Sequence, residues 1–143
     1  MTDASSQPTP RKKIGRHGER RAVDYLEERE WTIVETNHET KIGELDIIAR
    51  RTETLGARSR DVVAFVEVKT RTSGQQIPPE RNLTRRKRRK IVQLASIYLD
   101  AHDLDDVDAR FDVIAVDLGG DREGSDPEIR HYPAAFDALG RLN

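Results

Sequence analysis

The chain contains no cysteine. That excludes disulfides, a thiol nucleophile and thiolate zinc sites, and it fits a reducing compartment. Aromatic residues are scarce, with three Phe, three Tyr and one Trp in 143 residues, so there is little material for the base-stacking platforms of single-strand binders. Long apolar runs are missing as well. The longest, Val62 to Val66, is far short of the roughly 20 residues that span a bilayer. Residues Met1 to Lys13 are polar, include Pro8 and Pro10, and lack the apolar core of a secretory signal. They are expected to form a disordered tail ahead of a single domain over residues 14–143, in a cytoplasmic protein with no membrane partner. The four histidines, His17, His38, His102 and His131, have no close ligand spacing, which argues against a histidine-based metal site. No internal repeat is visible.

Charge is abundant, and its near balance hides a division. The formal net charge is −1, yet residues 1–90 hold 21 of the 25 Lys and Arg against 14 acids, a net of +7, whereas residues 91–143 hold 4 against 12, a net of −8. Such asymmetry gives one face suited to a polyanion.

Two apolar stretches carry charges where charges are costly. Gly43-Glu44-Leu45-Asp46-Ile47-Ile48-Ala49 and Phe65-Val66-Glu67-Val68-Lys69-Thr70-Arg71 lack a helical period and read as strands. Side chains alternate along a strand, so Ala64, Val66 and Val68 face a core while Phe65, Glu67, Lys69 and Arg71 face the other way. Asp46, Glu67 and Lys69 are expensive to desolvate unless partnered. Two carboxylates and a lysine on adjacent strands make a site for a hard, oxygen-seeking cation such as Mg²⁺. Read alone, Glu67 and Lys69 also fit a salt-bridged rung, with Asp46 as a turn cap.

Gly15 to Glu30 reads as the first helix, with Ala22, Val23 and Leu26 as its apolar stripe and Glu19 on the same face. Glu19 is either an exposed first-turn acid or a third carboxylate aimed at the strands. Trp31 to Asn37 is the first strand, and strand two follows from Gly43 to Arg50. The charged segment Arg51 to Asp61 reads as a long, mobile loop, and strand three runs from Asp61 to Arg71. Thr72 to Leu83, with Gly74, Pro78 and Pro79, is a loop. Thr84 caps a helix reaching Ala101, with the stripe Ile91, Leu94, Ala95 and Tyr98. Its first turns read Arg85-Arg86-Lys87-Arg88-Arg89-Lys90. Six cations at a helix N-terminus oppose the macrodipole, each by roughly 0.3–1 kcal/mol, which points to an anion bound there. Lys87, four residues before Ile91, lies inward. The five aspartates between Asp100 and Asp108 form a solvated loop. Arg110 to Leu118 is strand four, with Asp112 paired to Arg110. Gly119 to Pro127 is a polar turn, Glu128 to Tyr132 a short edge strand, and Pro133 opens a closing helix ending near Gly140.

The order is thus α-β-β-β-α-β-β-α, with a glutamate on the first helix, an aspartate on strand two and Glu-x-Lys on strand three. This resembles the PD-(D/E)-x-K nuclease superfamily and its restriction endonuclease-like α/β core, a central mixed sheet flanked by helices. The layout is similar to archaeal Holliday-junction resolvases. Leu45 stands where the superfamily signature has proline before the aspartate. Gly18-Glu19, Asn37, the two strand motifs, Lys87 and Arg110-Phe111-Asp112-Val113 further resemble the uncharacterised bacterial YraN family over residues 14–137.

The resemblance implies that Asp46, Glu67, the Val68 backbone carbonyl and Glu19 hold Mg²⁺ or Mn²⁺. Lys69 would orient the attacking water and stabilise charge on the phosphate. Arg71 and the cluster Arg85, Arg86, Lys87, Arg88, Arg89 and Lys90 would grip a nucleic-acid backbone, DNA more than RNA, with a homodimer among the allowed arrangements. The function expected is a Mg²⁺-dependent, perhaps structure-selective DNA endonuclease. A non-cleaving nucleic-acid-binding protein of nuclease ancestry is the alternative, and a hydrolase of some other phosphate compound a weaker third.

Overall fold

A computed structural model describes residues 9–72, 83–119 and 127–143. Among the described residues, two helices flank a five-stranded mixed sheet: α1 (Pro10–Glu28), β1 (Thr32–Glu39), β2 (Glu44–Leu55), β3 (Arg58–Arg71), α2 (Arg85–Ala101), β4 (Asp108–Asp117) and β5 (Glu128–Phe136). Strands lie in sequence order, β1-β2-β3-β4-β5. The first three form an antiparallel meander; β3 and β4 are parallel, joined through α2; β4 and β5 are antiparallel. No helix among the described residues is long and apolar enough to cross a membrane.

The central strands are buried on both faces, and this separates two cores. On the α1 side, Ala22, Leu26 and Trp31 pack against Ile47, Ala49, Ala64, Val66, Ile114 and Val116. On the α2 side, Ile91, Leu94, Ala95 and Tyr98, the stripe expected from helical spacing, pack against Leu45, Ile48, Val63, Phe65, Phe111 and Phe136. The face of β3 that carries Glu67 and Lys69 is therefore also a core face, with Phe65 fully buried on it.

Several boundaries differ from the sequence expectation. The first helix begins at Pro10, inside the stretch read as a tail, because Thr9 caps it (Lys12 N to Thr9 Oγ1, 3.2 Å) and Pro10 opens it. Proline suits that position, where its missing N–H would have no helical partner. Residues 1–8 of that tail lie outside the described residues, as do most of the Thr72–Leu83 loop and of the Gly119–Pro127 turn.

The segment Arg51 to Asp61 is a tight hairpin rather than a long loop. β2 and β3 pair as far as Leu55 and Arg58, and Gly56 turns between them at φ 62°. A two-residue hairpin needs such a residue at its first central position. Its charges form a cross-strand ladder, which suits a solvated ribbon: Thr52 donates to Asp61 at 2.9 Å, and Arg60 donates to Glu53 at 3.2 Å. Arg51 reaches Glu53 at 2.9 Å.

There is no closing helix at Pro133. The proline lies within β5, at the sheet edge where a missing N–H is tolerated. A register shift between Phe111 and Val113 and a left-handed Ala134 (φ 48°) bend the strand there. The bend brings Phe136 onto Phe111, ring centroids 5.2 Å apart.

The same bend closes a buried polar knot. Asp112 is fully buried and takes a bidentate pair from Arg110 (2.9 Å twice), a contact from His131 Nε2 at 2.7 Å and the Ala134 amide at 3.0 Å. His131 Nδ1 meets the Tyr25 hydroxyl of α1 at 3.4 Å, and the Arg110 guanidinium lies 5.0 Å from the Trp31 ring centre. Burial alone would raise the Asp112 pKa; the bonds from His131, Arg110 and Ala134 outweigh it and hold the carboxyl below its ordinary range. A depressed pKa contributes stability at neutral pH that is lost as pH falls through the native value. Asp112→Asn should therefore cost about 1–3 kcal/mol near neutrality by taking away the bidentate partner of Arg110, which keeps Glu53 at 3.4 Å, and should remove part of the acid-side loss of stability. Urea unfolding across acidic to neutral pH measures both.

Candidate metal and phosphate site

The site forms where the N-terminal end of β2 meets the C-terminal half of β3 and the middle of α1. Asp46 is its hub. The Val68 amide donates to Asp46 Oδ2 at 2.9 Å, and the Asp46 and Glu67 carboxyls are near enough to shift one another's protonation. Lys69 Nζ lies 3.8 Å from Glu67 Oε1, with the two side chains only 25% and 19% exposed. The carbonyl of a strand residue points to the same edge as its N–H, so the Val68 carbonyl also borders the Asp46 side.

Glu19 reaches Asp46 because α1 lies close on the sheet. A Cβ on Gly18 would stand 1.9 Å from Thr70 Oγ1, a separation no pair of side chains tolerates, so glycine sets the helix-to-strand distance beside Glu19. The carboxylates of Glu19, Glu44 and Asp46 offer oxygens that all lie within 4.8 Å of one another. Asn37 of β1 lies near enough to Glu19 to favour its charged form, at a left-handed position (φ 52°) between the pairs Thr36–Ile47 and His38–Leu45. Leu45 and Ile48 serve the α2-side core while Ile47 serves the α1 side, so strand alternation slips at Asp46.

Glu44 and Asn37 were not singled out as site residues by sequence reasoning. The signal for Glu44 was its spacing of two from Asp46; beside Gly43 it reads as part of a turn.

The electrostatics are those of crowded, half-dry carboxylates. Burial, then the Asp46 charge, pushes Glu67 up to about 8, against the pull of Lys69 and Lys87. Burial and Asp46 likewise push Glu19 up to about 7, although Asn37 opposes them. Burial raises Asp46, partly offset by the Val68 amide, Glu67 and Lys69. Glu44 is raised by partial burial and by Asp46. Several carboxyls competing for the same small volume must either keep protons or share a cation. The donor set, hard oxygens within one ion's reach, suits Mg²⁺ or Mn²⁺.

The basic cluster divides. Thr84 caps α2 as expected (Lys87 N to Thr84 Oγ1, 3.2 Å). Lys87 and Lys90 line a cavity of about 220 Å³ with Glu44, Glu67, Leu83 and Ile91, so Lys87 does point toward the site. Arg88 turns away from it: its guanidinium donates to the Gly140 carbonyl at 2.7 Å and to the Leu83 carbonyl. It ties the C-terminal segment to α2. Arg85, Arg86 and Arg89 are exposed. Arg71 ends β3, partly buried, with its carbonyl accepting from Leu118 N at 2.8 Å. A larger cleft, about 730 Å³, lies at the opposite end of β2 and includes Arg29, Arg51, Glu53 and Asp61. Within it Arg51 pairs with Glu53, and among the described residues its acids form no cluster that could hold a metal ion.

The raised acids have a stability consequence. Without a divalent ion, the folded state keeps protons on Glu67 and Glu19 that the unfolded chain releases near the ordinary value of 4.5, so stability falls as pH rises from there toward about 8. Glu67→Gln should flatten that decline and stabilise the metal-free protein at mildly alkaline pH by about 0.5–2 kcal/mol, at the expense of the site. Chemical denaturation in EDTA as a function of pH is the check.

Comparison with known proteins places this geometry in context. Residues 18–116 match the family described as "Uncharacterised protein family UPF0102". The chain is similar to a UPF0102 protein of Anaeromyxobacter dehalogenans, 39% identical over 131 residues, covering 92% of this chain and 89% of that one. It is similar also to UPF0102 proteins of Geobacter metallireducens, 40% identical with 88% and 93% covered, and of Myxococcus xanthus, 38% identical with 92% and 94% covered.

Proposed function

The chain belongs to the UPF0102 (YraN) family, whose description names no activity, and from its site we propose that it is a cytoplasmic, Mg²⁺- or Mn²⁺-dependent nuclease that hydrolyses phosphodiester bonds of DNA. The observation that carries the reading is the Val68 amide locking Asp46 in place, with Glu67 and Lys69 paired on either side of Val68 and Asp46 close enough to raise Glu67. Asp46 followed on the next strand by Glu-x-Lys is the signature of the PD-(D/E)-x-K nucleases, and an open α/β sheet with this site at one edge is consistent with their restriction endonuclease-like core.

Glu19, Glu44 and Asp46 would hold the ion, with Glu67 and the Val68 carbonyl at its border. Bound there, a divalent cation supplies charge neutralisation at the phosphate and a more acidic water. The chain's own groups do the rest. Lys69, held beside Glu67, donates to the attacking water or to a phosphate oxygen, where developing negative charge is greatest. Glu67, 3.8 Å from Lys69 Nζ, keeps Lys69 oriented. The exposed cations of α2 supply sequence-independent grip on the backbone. A pure binding protein would need that grip but gains nothing from buried carboxylates that repel phosphate, so the cutting reading is preferred to the non-cleaving one.

Lys69→Ala should lower cleavage of DNA in Mg²⁺ or Mn²⁺ by about 100-fold or more, while DNA affinity falls little because one cation among many is lost. Glu67→Gln should abolish cleavage, and EDTA should abolish it in the native chain. Purified protein whose cleavage is the same with and without these changes would show the activity to be a contaminant and sink the reading.

A further inference from the structure

Among the described residues, cavities on both faces border the carboxylate cluster. The cavity of about 220 Å³ on the α2 side is lined by Glu44 and Glu67 together with Lys87 and Lys90. On the α1 side a second cavity of about 520 Å³ is lined by Glu19, Glu44, Asn37 and Glu39, and its outer wall is α1 itself, through Lys12, Gly15 and Arg16. Glu44 belongs to both. The acids therefore occupy a saddle with cations on each side, one pair from each helix.

Lys12 and Arg16 are four residues apart and exposed, so they stand one above the other on one face of α1. They are not simply there to neutralise the acids. Arg16 is the weakest of the influences on Glu19, and Lys12 the weakest on Glu44. Nor does α1 need them: its stripe is Ala22 and Leu26, on the α1-side core, and Lys12, in the first helical turn, opposes the macrodipole just as the cations of α2 do. A pair of exposed cations facing a cavity that ends in carboxylates suits a polyanion whose charges repeat along its length.

We propose that Lys12 and Arg16 form a second phosphate-binding row, so that one nucleic-acid strand crosses the saddle with its backbone held by α1 on one side of the carboxylates and by Lys87 and Lys90 on the other. The inference rests on the nuclease reading for what happens at the saddle, and it adds the substrate class: a strand that continues past the site in both directions. Attack within a chain follows, with no need for a free end.

Two measurements test the row without relying on cleavage. The first is equilibrium binding of a fluorescent DNA duplex in EDTA over a range of salt. Lys12→Gln with Arg16→Gln should weaken binding several-fold and lower the slope of log K against log salt by about two, as should Lys87→Gln with Lys90→Gln, and the two losses should add. The second uses the absence of native cysteine. Gly15→Cys has open space around its Cβ, and a photo-crosslinker attached there should form an adduct with the duplex. An unchanged salt slope with no adduct from position 15 overturns the row, whatever the catalytic outcome. Cleavage of closed circular DNA, abolished by Glu67→Gln, reports separately on the nuclease reading. If the slope falls and the adduct forms but nothing is cut, the row stands as a binding surface and the nuclease reading fails. If the native chain cuts linear DNA only from its ends, the through-passing strand is wrong and the nuclease reading survives.

Discussion

The bond from the Val68 amide to the Asp46 carboxylate, 2.9 Å long, is the contact on which the site depends. It exists because β2 and β3 pair antiparallel from Leu55–Arg58 down to Ile47–Val66 and the ladder then opens. Beyond the last pair, a strand amide would be left without its partner carbonyl, and Asp46 takes that place. A buried amide without an acceptor costs about 1–3 kcal/mol, so the sheet itself holds the carboxylate in position. Glu67, one residue before Val68, is carried against Asp46 by the same strand, and Lys69, one residue after, lies beside Glu67.

Fold and site are coupled through packing on both faces. Gly18 lets α1 approach β3 at Thr70, which brings Glu19 to the saddle. Leu45 and Ile48 commit the opposite face to α2, which brings Lys87. The Asp112 knot fixes the other half of the sheet: it joins β4 to the edge strand β5 and, through His131 and Tyr25, to α1. The stable half and the strained half are distinct. Asp112 is held ionised by matched donors, whereas Glu67 and Glu19 are pushed toward neutrality by burial and by Asp46. Carboxylates held so far from their ordinary state without a protein cation large enough to match them are characteristic of functional sites.

Much of this was legible in the residues. Asp46, Glu67 and Lys69 interrupt apolar strands, and Glu19 interrupts a helical stripe; charge in such places demands a partner, and the structure sets Glu19 with Asp46 and Glu44, and Lys69 with Glu67. The stripe of α2 and its Thr84 cap follow from helical spacing alone. Other features depend on partners distant in sequence. The ribbon from Arg51 to Asp61 is too polar to show a core face, and only cross-strand pairing of Glu53 with Arg60 reveals it as a hairpin. Pro133 signals a helix start locally, but the Ala134 amide has Asp112 to bond, and that contact bends a strand instead. The six cations of α2 look uniform as a run. Yet Arg88 lies three residues before Ile91, so the helical arithmetic that turned Lys87 inward applies to it too, and it meets the carbonyls of Leu83 and Gly140.

The central claim is that these carboxyls share a divalent cation in place of protons. Calorimetric titration of Mn²⁺ into the protein near pH 7, repeated in two buffers of different ionisation enthalpy, measures ion uptake and proton release together. Because Glu67 and Glu19 are raised to about 8 and about 7, binding should release protons, and Asp46→Asn should abolish the binding. No uptake by the native chain, or uptake that Asp46→Asn leaves unchanged, would contradict the account.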